Sequence, residues 1–236
     1  MARNPAVKKA AKAAKRKAVV AAKRKEAIAA NTLGGRIREA AQLPVRQCLV
    51  SENLFTNGMG TVVLVRGVSQ EQQHIGFFML DTFCLGLKDT YFRTFDRQDA
   101  EYTLDLTRQA DGLVPIAPEE ARKLVQDVVA WAAGNGFAAH EDYAVTSRLF
   151  SDIAAAETDH TARFGHEGKV LYVPGPSETL AEIQRRTRFV QSRFGEEAIK
   201  SIDFLHDDEL DEFDDEYDLE GEVVPEEPER GGVSGV

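Results

Sequence analysis

HIGFFMLDTFCLGLKDTYF, residues 74–92, carries the strongest structural signal in the chain. It opens as a run of apolar and aromatic residues long enough for one fully buried strand. It then sets Asp81, Cys84, Gly86, Lys88 and Asp89 within nine positions at the strand's end. A buried strand that empties into polar residues and a glycine is where many folds place a site, and also how many folds simply end a strand. Upstream, residues 45–50 read as a first strand with Val45, Cys48 and Val50 apolar. Residues 51–60 form a loop with turn chemistry from Asn57-Gly58-Met59-Gly60. Residues 61–68 are a β-branched run and make a second strand. The polar connection at 69–73 has hairpin length, so the three strands are expected as an antiparallel meander.

Downstream of the quoted stretch, a polar crossing leads to two helices. Pro118 at a first helical position, followed by Glu119 and Glu120, starts one of them. Ala121, Leu124, Val125, Val128, Val129 and Ala132 repeat at three and four, and Gly134-Asn135-Gly136 ends the run. Asp142 is expected to cap a second helix with Val145, Leu149 and Ile153 on one side. Residues 161–164 and 169–173 flank Gly165-His166-Glu167-Gly168 and predict a hairpin. After Pro174-Gly175-Pro176, Ser177 is expected to cap a last helix that turns Leu180, Ile183, Thr187, Val190 and Phe194 inward and closes at Gly195. Residues 201–205 read as a final short strand. This order predicts an α+β fold rather than a doubly wound sheet.

The net charge of −10 hides two opposite ends. In residues 1–30, Glu26 is the only acid among Ala, Val and clustered bases. Lys8, Lys9, Lys12, Lys15, Arg16, Lys17, Lys23, Arg24 and Lys25 repel one another, so the segment is expected to be disordered alone and helical on a polyanion. They are the expected nucleic-acid contacts, salt-sensitive and blind to base sequence. A plain solubilising tail is the alternative. From about 206 onward, fourteen Asp and Glu face Arg230 alone. That run, with Leu210, Phe213, Tyr217 and Leu219 spaced through it, reads as disordered and able to dock a basic protein or shield the basic end. The expected organisation is therefore a basic tail at 1–40, one globular domain at 41–205 and an acidic tail at 206–236. Residues 36–42 read as a short helix ended by Leu43-Pro44.

No apolar run approaches a membrane span, and the basic end lacks the apolar core of a secretory signal. Two cysteines, Cys48 and Cys84, make no disulfide framework, which points to a reducing, cytoplasmic setting. No membrane partner and no cofactor are expected.

Three blocks now stand together: PVRQCLVSENLF; GFFMLDTFCLGLKDTYF; and ARKLVQDVVAWAAGNGFAAHEDY followed by FGHEGKVLYVPGPSET. Their combination resembles a bacterial family of hypothetical proteins in which a strand ending D-x-[FYW]-C-L-G-[VL]-K-[DN] precedes G-F-x-x-H-x-D-Y, F-G-x-[DE]-G-K and Y-[IV]-x-G-P. The matching positions are Asp81, Cys84, Leu85, Gly86, Lys88 and Asp89; Gly136, Phe137, His140, Asp142 and Tyr143; and Gly165, Gly168, Lys169, Tyr172, Gly175 and Pro176. Trp131 stands where the family more usually has tyrosine. The resemblance implies one domain across roughly 44–180 and assigns no catalytic residue.

Cys84 with Lys88 four positions on is the sharpest chemical candidate, since a nearby ammonium lowers a thiol pKa. His140 would serve as base, with Asp142, Asp81 or Lys88 assisting. The plainer account makes Cys84 a core thiol on the face of Phe78 and Leu80, and Asp81 a carboxylate capping the turn around Gly86. His140-Glu141-Asp142 lacks further ligands at metal-binding spacing, so no metal site is expected. Arg185, Arg186, Arg188 and Arg193 form a basic patch on the last helix. The leading expectation is a non-enzymatic module binding nucleic acid or ribonucleoprotein. A small enzyme using Cys84, and an adaptor docking a basic partner through its acidic end, are the two alternatives.

Overall fold

The computed structural model describes residues 32–68, 72–175 and 178–199. The basic contacts from Lys8 to Lys25, the acidic segment 206–236, Ser177 and the expected strand at 201–205 lie outside the described residues.

The fold is α+β, built on a five-stranded, wholly antiparallel sheet. β1 (Val45–Ser51), β2 (Met59–Gly67), β3 (Gln73–Asp81) and β4 (Gly86–Phe95) form a meander. β5 (Leu113–Pro115) adds to the free edge of β1, giving the order β4-β3-β2-β1-β5. The expected three-strand meander is there, and two strands extend it. β4 is the second half of the quoted stretch, where a loop site and a strand compete for the same residues.

β2 is buried on both sides, so its alternation feeds two cores. Val62 and Leu64, with Phe78 and Leu80 of β3, face α4 (Pro118–Gly134), whose Ala121, Leu124, Val125 and Val128 fill that side. α1 (Leu33–Ala40) packs into the same core with Ile37 and Ala40 fully buried. α1 therefore belongs to the globular unit, which the expected boundary at 41 leaves out. The short α2 (Leu54–Asn57) lies between β1 and β2. On the opposite face, Val63, Val65, Ile75 and Phe77 meet α3 (Arg97–Asp111) through Ala100 and Leu104.

α3 occupies the expected polar crossing. It buries only Ala100 and Leu104 among many charged and polar residues, so it reads as a polar stretch. Its ends are better marked: the Asp96 side chain accepts the Asp99 amide, and Gly112 takes the left-handed conformation after the last turn.

Three other expectations change. Asp142 makes no side-chain cap, and the second helix is one turn, α5 (Tyr143–Thr146), followed by a 3₁₀ turn at Ser147–Phe150. Arg66 Nε takes the Leu149 carbonyl, and Arg122 takes those of Phe150 and Ile153. Carbonyls that a continuing helix would use are thus bonded by guanidinium groups. The hairpin at 161–173 is a 3₁₀ turn (Thr161–Arg163) and one tight turn closed by His166 and Lys169, with Glu167 and Gly168 both at positive φ. Its flanks bond elsewhere: the Gly165 amide to Thr82 and the Leu171 amide to Phe83. Finally, α6 (Leu180–Phe194) is capped by Thr179, reciprocally with Glu182. It buries Val190 but leaves Leu180 74% exposed. That helix docks on a satellite core of Cys84, Leu85, Tyr172 and Ala198.

Candidate functional site

The turn after β3 is built by its own carboxylate. Asp81 Oδ1 accepts the amides of Phe83 at 3.0 Å and Cys84 at 2.9 Å, closing residues 82–85. Asp81 is buried, and desolvation pushes its pKa up to about 6, while the turn amides and the Lys88 charge restrain it. Gly86 follows at φ +75°. An added Cβ would overlap that of Ala132 and lie 3.1 Å from the Val128 carbonyl oxygen, so only glycine lets β4 start flush on α4.

Lys88 is the extra residue of a β-bulge. Met79 pairs with Asp89 and Leu80 with Leu87, leaving Lys88 opposite nothing. Its ammonium bonds Glu178, which also accepts the Tyr172 hydroxyl and, at 3.2 Å, the Gly175 amide. Arg186 Nη1 lies 2.7 Å from the same carboxylate. Burial alone would raise the Glu178 pKa. The bonds from Lys88 and Tyr172 and the ion pair with Arg186 outweigh it and hold the group near about 2. Glu178 thereby pins the start of α6 to the sheet edge.

Beside this hub runs a cleft of about 420 Å³. Leu85, Leu87 and Lys88 line it from the β3–β4 turn and β4, Gly136 to His140 from the segment after α4, and Arg185, Arg186 and Phe189 from α6. Phe137 and Phe189 meet edge to face at 5.2 Å, and Phe194 stacks with Phe137 at 6.4 Å. The His140 backbone amide bonds the Leu87 carbonyl at 3.2 Å. Its imidazole Nε2 lies 3.6 Å from Asp89 Oδ1, and Nδ1 accepts the Asp142 amide. The chemistry on offer is a cationic rim over an aromatic floor.

The structure brings Lys88 and His140 to this cleft and leaves Cys84 outside it. Cys84 is fully buried, and no hydrogen bond joins it to His140 among the described residues. Its thiol pKa is raised, by burial first and by the Asp81 charge next, and Lys88 is engaged by Glu178. The expected activation of Cys84 by Lys88 is therefore corrected: a thiolate is disfavoured where a nucleophile would need it. Nor does Cys84 share the core of Phe78 and Leu80, because the strand ends at Asp81 and the turn carries the thiol under α6. Asp81 caps its turn, and Asp142 supplies backbone contacts only.

Among the described residues no three His, Cys, Asp or Glu side chains are grouped to hold a metal ion. His160 lies between Asp127, at 3.1 Å from Nδ1, and Glu120, at 3.5 Å from Nε2, and ties residues 154–164 to α4. Sequence reasoning missed Glu178, Phe189 and Tyr172 as partners. Tyr172, Gly175 and Glu178 lie close in sequence, but nothing local signals that they meet a lysine ninety residues away. No helix among the described residues is long and apolar enough to cross a membrane. No family model, curated protein or solved structure matches this chain.

Proposed function

We propose that this protein is a non-enzymatic binding module for nucleic acid or ribonucleoprotein in the cytoplasm, tethered by its basic N-terminal segment and engaged by the cleft. The observation that carries the reading is the cleft's composition: Arg185, with Lys88 and Arg186 held beside it by Glu178, shares one lining with Phe137 and Phe189. Cations bond phosphates, and aromatic rings receive bases. Binding is favoured over catalysis because the site offers no activated nucleophile, its one nearby thiol being buried. Two free, buried cysteines accord with a reducing compartment. The resemblance to the bacterial family fits the same unit, since its blocks supply the β3–β4 turn and the residues after α4.

The test is a binding titration of a labelled oligonucleotide at low and high salt, with the full chain and with residues 1–30 removed. The expected result is binding that weakens by roughly a thousandfold between 50 and 200 mM salt, as about six phosphate contacts would give. Removing the basic segment flattens that slope, and residual weak binding depends on Arg185. Absence of binding at low salt overturns the reading.

A further inference from the structure

We infer that the cleft between β4, the segment after α4 and α6 receives one unstacked nucleotide, so that the protein prefers single-stranded over duplex nucleic acid. This rests on the nucleic-acid reading above and names its substrate class.

The cleft has two chemically distinct sides. One is aromatic: Phe137 contacts both Phe189 and Phe194, and Phe189 remains 39% exposed. Gly136, at φ +90°, abuts this side: a Cβ there would come 3.3 Å from Phe189 Cζ. The other side is cationic. Arg185 is exposed, and Arg186 beside it is held in an ion pair with Glu178. Arg185 is thus the cation of this side that a ligand phosphate can reach, with Arg186 and Lys88 held behind it by Glu178.

One nucleotide answers both sides. A volume near 420 Å³ lies within the range that takes a small ligand. A base stacks on an aromatic face whatever its identity, and its phosphate meets the Arg185 guanidinium. A purely apolar ligand would leave exposed Arg185 unused, and a small carboxylate would leave the rings uncovered. Bases within a duplex have both faces covered by neighbours, so a duplex offers this concave site its phosphates alone.

The experiment is fluorescence anisotropy at physiological salt, using a labelled single-stranded oligonucleotide and the same strand annealed to its complement. It uses the full chain and two variants. Phe189→Ala removes the exposed ring, and Ala138→Leu fills the cleft from an exposed lining position. The expected result is tighter binding of the single strand. Each variant lowers single-strand affinity by roughly tenfold and leaves duplex affinity unchanged. Thermal melting of the variants at the wild-type temperature shows that the fold is kept. Equal affinity for the two forms, or a single-strand affinity that both folded variants retain, overturns the inference while the nucleic-acid reading stands. Failure of both forms to bind even at low salt sinks both.

Discussion

Asp81 shows how one residue is decided by two opposed terms. Burial favours its neutral form, while two turn amides and the Lys88 charge favour the carboxylate. Burial wins, because the pKa moves from 3.8 to about 6. A raised folded-state value means that the group contributes most below its unfolded pKa, and that the contribution fades as pH rises through about 6. Asn keeps the accepting oxygen and removes the charge. Asp81→Asn is therefore expected to be more stable than the native chain at pH 7, by roughly 3 kcal/mol, and equal to it below pH 4. Urea unfolding at the two pH values checks this. The turn-capping role was legible from Asp81 standing just ahead of Gly86. The fate of Cys84 was not, since alternation from Phe78 assumes that the strand continues, and it stops at Asp81.

At the scale of elements, Arg66 decides what the chain does after α5. Its guanidinium is fully buried and bonds the Leu149 and Leu43 carbonyls as well as Asp152, whose side chain is 60% exposed. The buried carbonyls outweigh the surface carboxylate, because an exposed partner is screened by water whereas an orphaned buried group is not. Arg66→Met is expected to cost about 3 kcal/mol, and Asp152→Asn less than about 1 kcal/mol. Denaturant midpoints of the two variants check the order, and equal losses would contradict it. In sequence, Arg66 is one charge inside a β-branched run. Its partners lie 23 and 83 residues away, so no local pattern announces them. β2, β3 and α4, by contrast, were readable because each carries its own apolar periodicity.

At the scale of the whole molecule, the folded unit is larger at its start than composition suggests. Ile37 and Ala40 are fully buried in the main core, so α1 is structural although it directly follows the basic segment. Removing residues 1–31 is expected to leave the melting temperature unchanged. Removing 1–40 should destabilise the fold by several kcal/mol, as losing two buried apolar side chains and a helix implies. Thermal melts of the two truncations test this, and a stable second truncation would restore the boundary at 41. The binding chemistry is distributed differently: the basic segment supplies local charge, and the cleft is assembled from three distant stretches.

By itself the sequence determined what depends on neighbours along the chain. It set the meander strands, the long helix from Pro118, the stops at glycine and proline, the α+β class and the opposite charges of the two ends. Periodicity and capping are local rules, and a reader of residues can apply them. Only the tertiary structure decided where the local signal is weak or the partner is remote. It made α3 a helix on a narrow apolar face, turned Lys88 out at a bulge toward Glu178, and buried Cys84 away from His140. It also joined Leu85 to Lys88, Gly136 to His140 and Arg185 to Phe189 around one cleft. Those pairings come from packing and ion pairing between segments far apart in sequence, and such interactions impose no period on the residues that make them.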